Sequence, residues 1–271
     1  MGQKSLPSIF TRRAALLRAA QGCMLLSAWQ GPAAQAALVK KTDPRIIVDS
    51  IQIEPGQAFT GYLARPKQGS NHPGVIIIHD VQGITPYIKD VTRRLAVEGF
   101  IALSPDFRMA ANHGTIQDPI RRLLMMNDIE ASKAVAAAAA VLGGHTDCSG
   151  KIGVLGFGWG GTVANYLPLN NNTLDAAIGY YGLQPLYFQD DSYRSIKTAV
   201  QMHFAGRDTL TNEGIAIYET NLSDAGKYFE TYMYAGVGRG FDDDTNVVTY
   251  DKSASSLAWQ RSILFFNNHL R

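Results

Sequence analysis

The stretch VLGFGWGG, residues 154–161, decides how this chain folds. An apolar strand pattern precedes it, glycines flank its central position, and small residues begin the helical pattern behind it. Many enzymes hold a nucleophile at the tip of such a sharp strand-to-helix turn, which is called a nucleophile elbow. The central residue here is Gly158, which has no side chain. The pattern therefore predicts an elbow without its reacting atom.

Apolar strand patterns alternate with helical patterns on both sides of this turn. Two β-type runs, 45–53 and 59–66, are joined by turn residues and predict an antiparallel pair. The later alternation predicts a mostly parallel sheet with helices on both faces. The predicted strands are 74–80, 100–106, 151–157, 174–182, 199–206 and 228–236, and the predicted helices are 86–98, 119–142, 212–226 and 253–270. The last helix is expected to bury an apolar face made of Leu257, Ile263, Leu264 and Leu270.

The composition indicates one globular domain behind a targeting segment. Of 271 residues, 46% are hydrophobic and 18% charged, which excludes a disordered or fibrous chain. The first 36 residues are basic, contain no acidic residue, and end in an apolar stretch followed by Ala-Gln-Ala at 34–36. We predict an export signal over residues 1–36 and a single α/β domain over residues 37–271.

The export route is indicated by TRRAALL, residues 11–17, which resembles the twin-arginine motif. Ala15 stands where that motif prefers a bulky apolar residue. The alternatives are an ordinary secretory signal and a basic amphipathic helix that stays attached. No other apolar run approaches the roughly 20 residues that span a bilayer. We expect a periplasmic or secreted protein without membrane attachment once the signal is removed.

The charge and the cysteine content argue against a nucleic-acid-binding protein and against a protein held by disulfide bonds. The signal holds four of the 25 Lys and Arg residues, so 21 basic and 23 acidic residues remain, a net charge of −2. No basic face is interleaved with aromatic residues, so nucleic acid is not an expected partner. Only Cys148 remains after the signal is removed, which excludes an intramolecular disulfide, and we expect a packed thiol there.

Polar residues collect where the predicted strands end, which is where open α/β sheets bind ligands. The motifs at these ends are HDVQG (79–83), SPDFR (104–108), GFGWGG (156–161), YYG (180–182), AGRD (205–208) and AGVGRGFDDD (235–244). An elbow, then an acid, then a third group after the last strand is the chain order of an α/β-hydrolase triad. Spacing assigns the acid to Asp208 and the third position to Arg239.

The same motifs resemble those of the dienelactone hydrolase (carboxymethylenebutenolidase) family, over about residues 45–271. GFGWGG is similar to the family's elbow G-F-C-[FW]-G-G, and YAGVGRGF, residues 234–241, is similar to its last-strand loop. The resemblance implies an α/β-hydrolase fold and a Cys–Asp–His triad at Gly158, Asp208 and Arg239. It also implies that the family's Glu corresponds to Asp80 and its following Arg to Gln82.

These replacements remove the chemistry of the implied triad. Glycine supplies no oxygen or sulfur for acyl transfer, and a guanidinium, with a pKa above about 12, cannot act as a general base. We therefore expect a non-catalytic relative that binds a small anionic molecule, a carboxylate or a lactone, or a partner. The alternative is an active hydrolase of lactones or carboxylic esters, in which Asp80 or His79 activates water. No cofactor and no metal are expected.

The predicted binding residues are Asp80, Val81, Trp159, Tyr181 and Arg239. The backbone N–H groups of Val81 and Trp159 should form an anion-attracting corner at a helix start, and Arg239 adds a permanent positive charge. The alternative is that Arg239 pairs with Asp208 and closes the site.

The other candidates near the strand ends receive simpler interpretations. His79 and His203 are expected to be packed and hydrogen-bonded, and Thr162 to point away from the elbow. Residues 242–244, three adjacent aspartates, are expected to form a solvated turn rather than a metal site. Tyr180, like Tyr181, is expected to line the pocket.

Overall fold

A mixed β-sheet forms the centre of the computed structural model, which describes residues 39–54, 58–110, 117–170, 173–186 and 190–271. Within this part of the chain eight strands join in the order β1-β2-β4-β3-β5-β6-β7-β8. The strands are β1 (Ile46–Gln52), β2 (Thr60–Pro66), β3 (His72–Ile78), β4 (Ile101–Pro105), β5 (Cys148–Phe157), β6 (Ala176–Tyr180), β7 (Ala199–Ala205) and β8 (Phe229–Tyr234). The predicted export signal lies outside the described residues.

The strand directions confirm the predicted fold class. The β2 strand pairs antiparallel with both β1 and β4, whereas every pairing from β4 through β3 and β5 to β8 is parallel. The β3 strand is buried almost throughout and β6 and β7 along their whole length, as expected for parallel strands covered on both faces.

Helices cover both faces of the sheet. They are α1 (Pro86–Val97), α2 (Phe107–Ala110), α3 (Pro119–Leu124), α4 (Asp128–Gly143), α5 (Trp159–Asn170), α6 (Asp190–Ser195), α7 (Thr209–Asn212), α8 (Ile215–Asp224) and α9 (Lys252–Leu270). The α1 and α9 helices pack on the face that carries Val75 and Ile77, and α4 and α5 pack on the face that carries Ile76 and Ile78. Successive β3 side chains alternate between the two layers, as strand geometry requires.

Two helix predictions were wrong in detail. The single helix predicted over 119–142 is two helices, because Asn127 starts a new one: its side chain accepts the N–H of Glu130, whose carboxylate accepts the N–H of Asn127. On α9, Leu264 is 47% exposed, whereas Ile263 and Leu270 are buried. A step of one residue turns a helix by about 100°, which takes Leu264 off the buried face.

The elbow is fixed by the close approach of α5 to the ends of two strands. A Cβ added at Gly160 would overlap the carbonyl group of Ile78 at the end of β3, and one added at Gly161 would overlap the carbonyl oxygen of Tyr180 at the end of β6. Only glycine allows the backbones to come this close. The N-terminus of α5 therefore sits at the edge where the parallel strands end. No helix in the described ranges is both long and apolar enough to cross a membrane.

Candidate functional site

The carboxylate of Asp80 occupies the N-terminus of α5. Its Oδ1 atom accepts hydrogen bonds from the backbone N–H groups of Val81 and Trp159, both at 2.9 Å. These are the two donors predicted to form the anion-attracting corner. Hydrogen bonds from N–H groups to a carboxylate at a helix start are charge-assisted and favourable. The corner is thus present, and the chain's own side chain fills it.

Asp80 also takes up the space of a nucleophile. Gly158 has φ +58°, a left-handed conformation that glycine adopts without strain. A Cβ added there would overlap Cγ and Oδ2 of Asp80 and lie 2.6 Å from Oδ1. Any side chain at position 158 would therefore displace the Asp80 carboxylate from its two donors.

Arg239 lies between two carboxylates. Its Nη2 atom is 3.8 Å from Oδ2 of Asp80, and its Nη1 atom is 3.7 Å from Oδ2 of Asp208. Nη1 donates a hydrogen bond to the carbonyl oxygen of Tyr181 at 3.1 Å. The side chain of Arg239 remains 42% exposed. Of the two alternatives for Arg239, pairing with Asp208 is present, and the same guanidinium also faces Asp80.

Asp208 stands at the start of α7, immediately after β7. Its Oδ1 accepts the N–H of Thr211 at 3.4 Å, as an N-terminal cap does. Its Oδ2 is buried without a hydrogen-bond partner, although Arg239 is near. The structure thus brings all three predicted triad positions together. Oδ2 of Asp208, which accepts no hydrogen bond, faces the guanidinium of Arg239.

His79 is packed, as expected, and is not available as a base. It is fully buried, its Nδ1 lies 2.7 Å from the carbonyl oxygen of Asp80, and its Nε2 accepts the N–H of Phe107 at 3.1 Å. Because Nε2 accepts from a backbone donor, the ring proton is on Nδ1. Both nitrogens therefore serve to hold the loop that carries Asp80.

A second interaction fixes the same loop from the end of β4. Arg108 donates two hydrogen bonds to Asp106, at 2.8 and 2.7 Å, and a third to the carbonyl oxygen of Gln82 at 2.9 Å. Burial by itself raises the pKa of Asp106, but the hydrogen bonds and charge of Arg108, together with His79 at 3.6 Å, act in the opposite direction and hold that pKa well below its usual value. The ion pair persists at any ordinary pH and anchors the loop after Asp80.

The expected solvated turn at residues 242–244 is wrong for Asp242, which is only 4% exposed. Its Oδ1 accepts the hydroxyl of Tyr181 at 2.7 Å, and its Oδ2 accepts the hydroxyl of Tyr87. Burial raises the pKa of Asp242 to about 6, although both hydroxyls act in the opposite direction. Tyr87 on α1 and Tyr181 after β6 both contact this carboxyl, which a count of adjacent aspartates did not anticipate.

Tyr180 and Tyr181 do not line an open pocket, contrary to expectation. Both rings are buried: the Tyr180 hydroxyl pairs with Ser262 at 2.8 Å, and the Tyr181 hydroxyl with Asp242. Tyr181 contributes its backbone carbonyl to the site, and its ring lies 5.5 Å from the guanidinium of Arg239. Its φ of +38° is an unusual value for a residue with a large side chain.

The remaining candidates are His203, Thr162, Cys148 and a metal cluster. His203 is fully buried and lies 2.8 Å from both the Tyr234 hydroxyl and Oε1 of Gln201, and burial lowers its pKa well below the usual value. Thr162, which was expected to point away from the elbow, donates its hydroxyl to the carbonyl oxygen of Gly158 in the elbow at 3.3 Å and accepts the N–H of Leu183. Cys148 is a half-buried free thiol. Over the described ranges, no group of three His, Cys, Asp or Glu side chains is arranged to hold a metal ion.

Within the described residues, the arrangement at the elbow holds a carboxylate and presents no nucleophile at its tip. Two backbone donors and a guanidinium surround the carboxylate of Asp80, and Asp80, Asp208 and Arg239 together carry one net negative charge. Gly158 places no hydroxyl or thiol at the tip of the elbow, and His79, in the loop that carries Asp80, has both nitrogens engaged.

The strand order, the elbow after β5 and the acid after β7 define an α/β-hydrolase fold. Within that class the chain belongs to the dienelactone hydrolase family, whose model matches residues 59–270.

Several known proteins are similar to this chain over most of their length. The "Protein usf" of Aquifex pyrophilus is 29% identical over 224 residues, covering 79% of this chain and 95% of that protein. A Bradyrhizobium protein named "Probable 2-oxo-3-(5-oxofuran-2-ylidene)propanoate lactonase" is 28% identical, covering 79% and 91%. The crystal structure of a dienelactone hydrolase from Anabaena variabilis has the same fold, with a TM-score of 0.65 at 17% identity, covering 84% of this chain and all of that one.

Two features of the site escaped sequence reasoning. Asp80 fills the corner through a contact with Trp159, which is 79 positions away in the sequence. The only sign of this contact in the sequence is that a glycine at the elbow occurs together with an acid after β3. The burial of Asp242 depends on Tyr87 and Tyr181, which are 155 and 61 positions away.

We predict that Gly158→Ala destabilises the protein more than backbone strain alone explains. The left-handed conformation costs about 1 to 3 kcal/mol for a residue with a side chain, and the displaced Asp80 carboxylate loses hydrogen bonds worth about 1.5 to 3 kcal/mol in addition. Urea denaturation of wild type and variant measures the total.

The matched control is Gly226→Ala, because Gly226 has φ +68° and open space where a Cβ would stand. Gly158→Ala should lower the free energy of unfolding more than Gly226→Ala does. This difference should vanish when Asp80 is also replaced by Ala. An excess that survives the removal of Asp80 would show that the two residues are not coupled.

A second prediction concerns pH. Because the folded-state pKa of Asp242 is raised from 3.8 to about 6, the native state binds this proton more tightly than the unfolded chain. Its stabilisation is complete below about pH 4 and is lost as pH rises through 6. Between these limits, we expect the free energy of unfolding of wild type to fall by about 3 kcal/mol relative to Asp242→Asn. Urea titrations of both proteins at several pH values measure this difference, and a constant difference would contradict the prediction.

Proposed function

We propose that this member of the dienelactone hydrolase family binds a small carboxylate or lactone and does not hydrolyse it. The observation that carries the proposal is the carboxylate of Asp80 on the N–H groups of Val81 and Trp159, with Arg239 beside it. A corner that holds one carboxylate in this way has the donors and the charge to hold another.

Asp80 acts in this proposal as an internal ligand. Its side chain is 28% exposed and is joined to the loop by one methylene, so rotation of the side chain uncovers both donors. An external carboxylate then competes with a tethered one, whose effective concentration is on the order of millimolar or more. Weak binding by the wild type is expected for this reason.

The chemistry of one relative supports the same ligand class. The Bradyrhizobium protein is named as a lactonase of a propanoate that carries an oxofuran ring, which is a lactone and an anion in one molecule. A scaffold that keeps the corner but has Gly158 and Arg239 at the reacting positions is suited to bind such a molecule without cleaving it.

A second candidate function is hydrolysis of lactones or esters by water that Asp80 activates. The observation in its favour is that Oδ2 of Asp80 lies at the nucleophile's place and 3.8 Å from Arg239. Against it, loss of both nucleophile and base leaves only binding and oxyanion effects, about 10³ to 10⁴ over water in triad enzymes. His79 offers no replacement, because both of its nitrogens are engaged.

We predict that Asp80→Ala binds benzoate about 10-fold or more tightly than wild type, because the variant has no internal carboxylate to displace and its donors are always uncovered. Adding Arg239→Ala should weaken that binding by about 1.5 to 3 kcal/mol, the range for a hydrogen bond to a charged group. Isothermal calorimetry measures all three proteins, and turnover of lactones and aryl esters is followed in the same samples.

Asp49→Ala is the control, since Asp49 is exposed on β1; it should bind benzoate as wild type does. Equal binding by wild type and Asp80→Ala would refute the proposed role of the corner. Turnover by wild type that is lost in Asp80→Asn would instead establish the hydrolytic function.

The proposal extends to an exported protein. The basic, acid-free segment 1–36 with its paired arginines supports export by the twin-arginine route. Arg12→Lys with Arg13→Lys should leave the precursor in the cytoplasm, whereas Arg18→Lys, outside the pair, should not. Cell fractionation followed by immunoblotting distinguishes the two, and normal export of the double variant would contradict this route.

A further inference from the structure

Tyr181 is held in a strained backbone conformation at the end of β6. Its φ is +38°, and the other described non-glycine residue with positive φ is Asn71, a residue type that tolerates this region. Such strain is unfavourable and persists only where the surroundings enforce it. Strained residues concentrate at functional sites, so the contacts that enforce this conformation indicate what it achieves.

One loop holds both ends of Tyr181. Arg239 donates to its carbonyl oxygen at 3.1 Å, and Asp242, three residues further along, accepts its hydroxyl at 2.7 Å. The Tyr181 N–H also donates to the carbonyl of His203 at 2.7 Å. Phe241, between the two contacts, packs edge-on against the ring with centroids 6.0 Å apart.

The carboxyl group of Asp242 is suited to grip a phenol. It is buried and accepts a second hydroxyl, from Tyr87, so its position is fixed by two elements besides its own loop. Burial, with Asp242 nearby, raises the pKa of Tyr181 well above the usual value, so its hydroxyl stays protonated and donates.

The carbonyl of Tyr181 in turn orients the guanidinium. Arg239 reaches Asp80 and Asp208 only at 3.8 and 3.7 Å, beyond direct hydrogen bonding, whereas its bond to Tyr181 is within that range. The Tyr181 ring lies 5.5 Å from the guanidinium carbon. The carbonyl group and the ring of Tyr181 therefore set the orientation of the exposed Arg239 side chain. The loop that contains Asp242 holds Tyr181 in place.

We propose that Tyr181, gripped by Asp242, is a positioning residue that fixes the guanidinium plane of Arg239 and makes the corner selective for planar carboxylates over tetrahedral anions. The inference rests on the proposed function for its ligand class, and on the geometry of Tyr181 for the positioning. A fixed guanidinium fork matches a planar carboxylate, whereas a mobile one acts as a point charge and does not distinguish the two shapes.

The test uses Tyr181→Phe, which keeps the ring and removes the hydroxyl that holds it. The first readout is the proton–nitrogen NMR spectrum of the Arg239 guanidinium, assigned by its loss in Arg239→Lys. We expect separate, slowly exchanging signals in wild type and averaged signals in Tyr181→Phe. The second readout is the ratio of benzoate to inorganic phosphate affinity in the Asp80→Ala background, which should fall about 3- to 10-fold, the equivalent of one neutral hydrogen bond.

Tyr218→Phe is the matched control, because Tyr218 is also fully buried and donates its hydroxyl to a backbone carbonyl, that of Asn165, at 2.9 Å. It should lower the free energy of unfolding and leave both readouts unchanged. If Tyr181→Phe does not fold, Asp242→Asn weakens the same grip and should give the same averaged Arg239 signals.

The outcomes separate this inference from the proposed function. Unchanged Arg239 signals in Tyr181→Phe or Asp242→Asn overturn the positioning role, whatever binds. Averaged signals with an unchanged ratio overturn the selectivity. If Asp80→Ala binds neither benzoate nor phosphate, the proposed function and the selectivity are both refuted. The NMR spectra still decide whether Tyr181 positions Arg239.

Discussion

The hydrogen bonds from Val81 and Trp159 to the carboxylate of Asp80 organise the whole site. They satisfy the N–H of Trp159 at the start of α5, which has no partner within its own helix, and the N–H of Val81 in the loop after β3. They place a full negative charge at a helix N-terminus, where the helix dipole favours it. The same placement excludes any side chain from position 158 and gives the guanidinium of Arg239 a partner. Gly158 and Arg239 are therefore both compatible with the position of this carboxylate.

Side-chain contacts on two sides hold the loops around this carboxylate. His79 and Arg108 fix the loop after β3 through its backbone carbonyls, at Asp80 and Gln82. On the other side, Asp242 and Tyr181 fix the loop that carries Arg239. Of these hydrogen bonds, the one between Tyr181 and Asp242 is buried, those of His79 and Arg239 are partly buried, and that of Arg108 to Gln82 is exposed. Binding groups held in this way lose little conformational entropy when a ligand arrives.

Membership of the dienelactone hydrolase family specifies the scaffold and leaves the chemistry to the site. The sheet order, the close packing of α5 and the acid after β7 belong to the scaffold. The reacting positions do not follow it: the elbow presents Gly158, and Arg239 stands beside Asp208. The backbone donors of Val81 and Trp159 remain at the elbow, since a backbone N–H survives any side-chain replacement.

The sequence by itself determined the order of elements, since apolar runs of strand length between amphipathic stretches leave few other arrangements. It also determined that Gly158 and Arg239 cannot perform acyl transfer, because that conclusion needs only the chemistry of the two side chains. Tertiary structure alone decided that Asp80 fills the corner and that Asp242 is buried, because both depend on contacts between residues 61 to 155 positions apart. Hydrophobic periodicity reports which face of an element is buried, but not which polar group meets which donor across the sheet edge.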